Sequence, residues 1–204
     1  MIELNKKSLK ELINLIPFMV LSALLIGLSV NLYIYAGFGS DSITIFEDGI
    51  HSAFNVSLGL ASYIYAGFTL LLGFIIGRKY ITIVSIANSF LCGPFIDLFG
   101  IFFTKINTNS LFIRIIFLIL GIIATALSCA ILIYKGSGTS SLDAIVLGVS
   151  DKTKLEYKIV RTITDITLFA AGILMHGQFG IGSIVATIST GTIINYLVKL
   201  LKKR

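Results

Sequence analysis

The chain has 204 residues, of which 56% are hydrophobic and 13% charged, with a mean hydropathy of +0.97 and a net charge of +6. A soluble domain of this length has too little interior to hide that much apolar surface, so the composition excludes that class and selects a bilayer protein. The positive balance is read as membrane topology rather than nucleic-acid binding, which needs basic residues clustered on a folded face.

Six apolar runs follow in chain order: Leu15 to Phe38, Leu58 to Gly77, Ile81 to Phe103, Leu111 to Tyr134, Lys158 to Met175 and Phe179 to Leu201. A helix crosses a bilayer in about 20 residues, and each run is near that length. The first has a basic leader, but its apolar region is too long for a signal peptide and no small-x-small cleavage site follows, so it is expected to be a retained span. Of the 16 Lys and Arg residues, 14 fall in segments that share one side if six helices cross; Lys105 and Arg114 fall on the other. Both termini are therefore expected on the cytoplasmic side of a bacterial cell membrane. Trp is absent, which leaves Tyr to mark the interfaces: Tyr80, Tyr134, Tyr157 and Tyr196 inside, Tyr33 and Tyr35 outside.

A duplication organises the chain. Ile34-Tyr35-Ala36-Gly37-Phe38-Gly39-Ser40-Asp41-Ser42-Ile43 aligns with Ile133-Tyr134-Lys135-Gly136-Ser137-Gly138-Thr139-Ser140-Ser141-Leu142 at an offset of 99, which also pairs Gly49 with Gly148 and Gly73 with Gly172. Dropping one residue then pairs Gly93 and Asp97 with Gly191 and Asn195. The fold class expected is all-α: six transmembrane helices forming two three-helix repeats, residues 15–104 and 105–204, behind a cytoplasmic segment 1–14. Each repeat has an odd number of spans, so the second is inverted relative to the first, and such repeats place a substrate site at their interface.

Gly37 and Gly39, like Gly136 and Gly138, take positive φ without steric cost and let the chain reverse. Ser40, Asp41 and Ser42 follow in one copy and Thr139, Ser140 and Ser141 in the other, residue types that cap helix N-termini. The segments after them are too short to span and read either as re-entrant half-helices or as helices lying in the interface. If re-entrant, their N-termini suit a polar or anionic group.

The paired Y-x-G-x-G-[ST] turns resemble the YczE/YyaS/YitT family of bacterial membrane proteins, as does the second-half pattern Arg161-x-x-x-Asp165, Gly177-x-x-Gly180-x-Gly182-Ser183 and Gly191. The resemblance runs from about Leu24 to Leu200. It departs at the first turn, where Ser40-Asp41-Ser42 stands in place of a Pro-Trp-Asp-like stretch. The family is largely uncharacterised, so the resemblance implies a six-helix membrane protein rather than an activity.

Ionisable groups at membrane depth mark paths or partners. Arg161 and Asp165 share a helical face: either they neutralise one another near the cytoplasmic interface, or Asp165 faces a cavity and carries a proton or cation. Asp97 and its mate Asn195, with Asn88, add polarity to the third and sixth spans; interhelical hydrogen bonding accounts for Asn88 without any substrate. Asp143 reads as an N3 acid at a helix start. Asp41, Glu47, Asp48 and His51 read as a solvated outer loop, Cys92 and Cys129 as packing residues, and no metal or cofactor is expected. No nucleophile–base pairing or G-x-S-x-G is present, so no enzyme is expected either.

The preferred function is a small secondary transporter for a small polar or anionic solute. Its candidate binding residues are Gly37, Gly39, Ser40, Asp41, Ser42, Gly136, Gly138, Thr139, Ser140, Ser141, Asn88, Asp97 and Asn195. Asp165, Arg161 and Asp97 are the coupling candidates. The expected partners are the lipid bilayer and the solute, with a homo-oligomer as a further expectation. Two other readings stand beside it: the substrate-capturing subunit of a multi-component importer, whose ATPase must be another chain since no G-x-x-x-x-G-K-[ST] occurs, and a non-transporting scaffold or regulator.

Overall fold

The computed structural model describes residues 9–106, 110–135 and 140–202. It contains eight α-helices: α1 (Leu9–Ala36), α2 (Ser42–Phe54), α3 (Leu58–Ile76), α4 (Ile83–Phe103), α5 (Leu111–Tyr134), α6 (Ser141–Thr153), α7 (Tyr157–Leu174) and α8 (Ile181–Lys202). No strand occurs among the described residues. Of the second glycine turn, Gly136, Gly138 and Thr139 lie outside them.

Five helices are long and apolar enough to cross a membrane: α1 from Ile13, α3, α4, α5 and α8. The fifth sequence run corresponds to α7, whose 18 residues include Lys158, Arg161 and Asp165. At 13 residues each, α2 and α6 are about 20 Å long, short of the roughly 30 Å hydrocarbon layer. Many large apolar side chains point outward along the helices. Leu71, Ile75, Phe102, Phe112, Ile181 and Ile188 are each more than half exposed, as expected of surfaces meeting lipid.

The order of elements recurs. Helices α2 and α6 begin and end 99 positions apart, α3 and α7 begin 99 apart, and α4 and α8 begin 98 apart. The residues that start and stop the short helices recur as well. Asp41 and Ser140 are the N-caps, and Asn55 and Lys154 are left-handed C-caps. Packing follows the same rule. α1 lies against α5, α1 against α4 as α5 against α8, and α2 against α7 as α6 against α3. Each short helix thus leans on a long helix of the other half.

Glycine sets how closely they lean. A Cβ on Gly49 of α2 would lie 2.7 Å from the Gly172 carbonyl of α7, and one on Gly172 would lie 2.6 Å from that of Ile45. The mate of Gly49 behaves likewise, since a Cβ on Gly148 of α6 would lie 2.6 Å from the Gly77 Cα. Small residues at such crossings let backbones meet where lipid offers no hydrophobic drive between helices. Hydroxyls bind the remaining seams. Ser22 of α1 meets Ser128 of α5 at 2.7 Å, and Thr69 of α3 meets Ser141 of α6 at 2.9 Å. At the α3–α4 turn, Lys79 and the Tyr80 hydroxyl both hold Asp151 and keep its carboxyl below the usual carboxylate range.

Two expectations need correction. Tyr33 is no interfacial anchor: it is 1% exposed, packed on Gly121, with its hydroxyl accepting from Thr125. The outer acids are no solvated loop either, because Glu47 and Asp48 are 4% and 3% exposed within α2. Tyr33 is buried because α1 packs on α5 and α8, and the acids are buried because the α2 segment folds back against α3 and α7, whereas a loop read from residue type alone is assigned to water.

The glycine crossings predict a contrast. Gly172→Ala forces the α2–α7 backbones apart and is expected to cost about 1–3 kcal/mol. Gly67→Ala, where a Cβ meets nothing within 4 Å, is expected to be neutral or to stabilise α3 by about 0.5–1 kcal/mol. Melting temperatures of the two variants in the same detergent should therefore move in opposite directions or only the first should move.

Candidate functional site

The first glycine turn is made by the conformations its sequence demands. Gly37 and Gly39 have φ of 65° and 85°, the left-handed region that glycine occupies freely. At Gly39 there is also no room for a side chain, because Ser183 and the Gly180 amide stand where a Cβ would be. The Phe38 carbonyl accepts from the Gly182 amide at 2.8 Å. The turn of the first half is thereby stitched to the Gly180-x-Gly182-Ser183 start of α8. Arg114 of α5 completes it, donating to the Ala36 and Gly37 carbonyls at 2.6 and 3.0 Å and lying over the Phe38 ring. A cation there satisfies the last carbonyls of α1 and its negative dipole end.

The turn delivers the N-terminus of α2 to α7. The Asp41 carboxylate caps α2 by accepting from the Thr44 amide at 2.8 Å. The Ser42 hydroxyl donates to Asp165 of α7 at 2.6 Å. The N-terminus of α6 arrives at the same helix from the other half. Ser140 and Asp143 form a capping box, and the Tyr157 hydroxyl donates to Asp143 at 2.7 Å. Arg161 joins the two. Its Nη1 lies 2.7 Å from Asp143 and its Nε 3.0 Å from Asp165. The side chains of Arg161, Asp143 and Asp165 retain 29%, 26% and 20% of their exposure, so the network is enclosed without being sealed. Asp41 is close enough to interact electrostatically with both Arg161 and Asp165.

One guanidinium therefore faces three carboxylates, and both helix N-termini already hold an acid of their own. Such a centre has hydrogen-bond donors on two short helices, a fixed cation and a surplus of acid. It suits recognition of a polar group or transfer of a proton better than capture of a bare anion.

Of the sequence candidates, Asp41, Ser42, Ser140, Arg161 and Asp165 come together here, with Asp143 as the acid that closes the box. Gly37, Gly39 and Ser40 shape the approach. Ser40 is 2% exposed, and Ser141 turns to Thr69 instead. The remaining three lie elsewhere. Asp97 accepts from the Ser57 hydroxyl and the Gly59 amide, both at 2.8 Å, and so serves the N-terminus of α3. Asn88 makes a long contact to Cys92 within α4, and Asn195 is exposed on α8. Among the described residues no group of three or more His, Cys, Asp and Glu side chains is placed to hold a metal.

Sequence reading missed Glu47, Tyr65 and Asp48. Glu47 is buried in α2 beside Ser62, Tyr65 is 7% exposed with an unpartnered hydroxyl, and Asp48 accepts from the Gln178 amide at 2.7 Å. The available signal was the position of Glu47-Asp48 next to Gly49, a glycine already marked by the duplication.

Comparison with known proteins adds relatives without an activity. The model of DUF6198, a family of unknown function, matches residues 13–199. The chain is 26% identical to the uncharacterized membrane protein YczE of Bacillus subtilis, over 74% of this chain and 69% of that one. It is 22% identical to the uncharacterized protein YyaS of the same organism, over 88% and 90%. An uncharacterized protein of Haemophilus influenzae is 21% identical over 92% and 85%. No solved structure matches. The sequence resemblance to the YczE/YyaS group thus holds, over nearly the whole chain.

The Arg161 bridge carries a stability prediction. Arg161→Met leaves Asp143 and Asp165 without their cation. The expected loss is on the order of 2 kcal/mol, below the 3–5 kcal/mol of a fully buried pair because water still reaches the group. Adding Asp165→Asn to Arg161→Met should recover part of it, which a double-mutant comparison of thermal unfolding in detergent measures.

Proposed function

The chain belongs to the DUF6198 family, and on that premise we propose that it is a small secondary transporter of the bacterial cell membrane, with its solute site where α2, α6 and α7 meet. In this reading α7 also crosses the bilayer and brings the spans to six, the two halves are inverted three-helix repeats, both termini face the cytoplasm, and α2 and α6 are half-helices that re-enter the bilayer.

The observation that carries the reading is the convergence of the two short-helix N-termini on the Arg161–Asp165 pair. Transporters of inverted-repeat design place discontinuous helices at the repeat interface and use their termini for solute and ion. Ionisable groups in a spanning helix that face the protein interior fit a transport path better than a scaffold, whose recognition surface would lie in loops this chain keeps short. The surplus of carboxylates favours a polar or cation-bearing solute over an anion. Alternating access then consists of each half rocking on the glycine crossings, with the Arg161 bridge of the second half reached from the first through the Ser42 hydroxyl.

The test is purification in mild detergent, native mass spectrometry for a retained small molecule, and flux of that molecule in sealed proteoliposomes. Uptake is expected, and Arg161→Gln should reduce it at least tenfold while the protein remains folded. Absence of flux, together with stoichiometric co-purification of an ATPase, would replace this reading with an importer subunit.

A further inference from the structure

Glu47 stands apart from the arginine network. Its carboxyl is buried in α2, and the Ser62 hydroxyl of α3 is its hydrogen-bonding neighbour. None of the ion pairs among the described residues includes it. The groups around it can be named element by element. On its own helix are Asp41, Asp48 and His51, with Asp48 held by the Gln178 amide and His51 against the Val56 carbonyl. From α3 come Ser62 and Tyr65, and from α4 comes Cys92, within electrostatic range. From α7 come Arg161 and Asp165, and from α6 Asp143, and these three are committed to one another.

A second observation points into the same place. The Tyr65 hydroxyl is buried and has no hydrogen-bond partner, and the charge acting on it most strongly is that of Glu47, with Arg161, Asp41 and Asp143 behind it. A buried phenol normally finds a partner. Here it waits beside a carboxyl that has no cation, and an ionised carboxylate without a cation is costly to bury. Among the described residues no group of three or more acidic, histidine or cysteine side chains is placed to hold a metal ion.

We propose that Glu47 is a proton-binding site, separate from the Arg161 network, and that it carries the coupling proton of the transporter. The role in coupling rests on the transport reading; the proton site does not. In the closed arrangement the carboxyl is the neutral acid. On opening, its O–H bond breaks, the proton passes to entering water, and the carboxylate left behind accepts a hydrogen bond from Tyr65. No electrons are transferred. Tyr65 is a positioning residue that solvates the carboxylate.

Infrared difference spectroscopy of the purified full-length protein in lipid nanodiscs, titrated with base, reads this directly with the proton as probe. The expected result is a protonated-carboxyl band that persists at neutral pH, disappears on alkalinisation, and is lost in Glu47→Gln. In Tyr65→Phe the band should remain and disappear only at higher pH, a readout that a packing role would not give. Absence of the band from the wild type, or its survival in Glu47→Gln, overturns the inference and leaves the transport reading standing. A Glu47 band in a protein that transports nothing overturns the coupling role and leaves the proton site. If transport is found, Glu47→Gln should retain solute exchange and lose accumulation driven by a pH gradient; unchanged accumulation overturns the coupling role.

Discussion

Arg161 is the constraint around which the interior is arranged. It bonds Asp143 and Asp165 directly and lies within electrostatic range of Asp41. In a low-dielectric setting these acids repel one another strongly. The planar guanidinium has donors on several sides, so it bonds Asp143 through Nη1 and Asp165 through Nε at once. A lysine presents a single charged point and holds two acids from different helices less firmly. With Arg161 in place, α6 is tied to α7 directly and α2 is tied through Ser42 and Asp165.

The same helix has to face lipid. Ile159, Ile163, Ile166 and Ile173 of α7 are exposed, and they recur at three-, four- and seven-residue steps, so they form a stripe along one side. The charges occupy the other side. This explains how α7 can lie among apolar neighbours with three charged residues. Its contact with α2 is made without bulk, at Gly49 and Gly172, so the Ser42 hydroxyl comes within 2.6 Å of Asp165. Close backbone approach and the polar network are one design, since a larger residue at the crossing would pull the hydrogen bonds apart.

The helices and their caps were legible because they rest on local chemistry. Asp41, Ser140 and Asp143 act at helix starts, as short polar side chains after a glycine turn should. The offset of 99 was legible because Gly49 and Gly148, like Gly73 and Gly172, all stand where a Cβ would meet a neighbour closer than 3 Å. The partnership of Asp143 with Arg161 was not, since 18 residues and a helix reversal separate them. Burial of Glu47 and Asp48 was not legible either: an acid reads as solvated until the packing of α2 on α7 is known. Asp97 was legible as a membrane-depth acid, but its task at the N-terminus of α3 depends on the α3–α4 pairing.

Positions 99 apart show what distinguishes the halves. Ser42 and Ser141 are mates, and each bonds across to the other half, to Asp165 of α7 and Thr69 of α3. Ser62 and Arg161 are also mates. On α7 that position holds a permanent cation, which satisfies Asp143 and Asp165. On α3 it holds a hydroxyl, which hydrogen-bonds Glu47 but cannot neutralise it. One half therefore fixes its acids with a charge that never leaves, and the other leaves its acid to a proton that can. If both positions carried arginine, the acids would be locked on both sides. If both carried serine, the carboxyls would have to be protonated together to remain buried. A single arginine is the arrangement that keeps the centre folded and still leaves one carboxyl free to titrate.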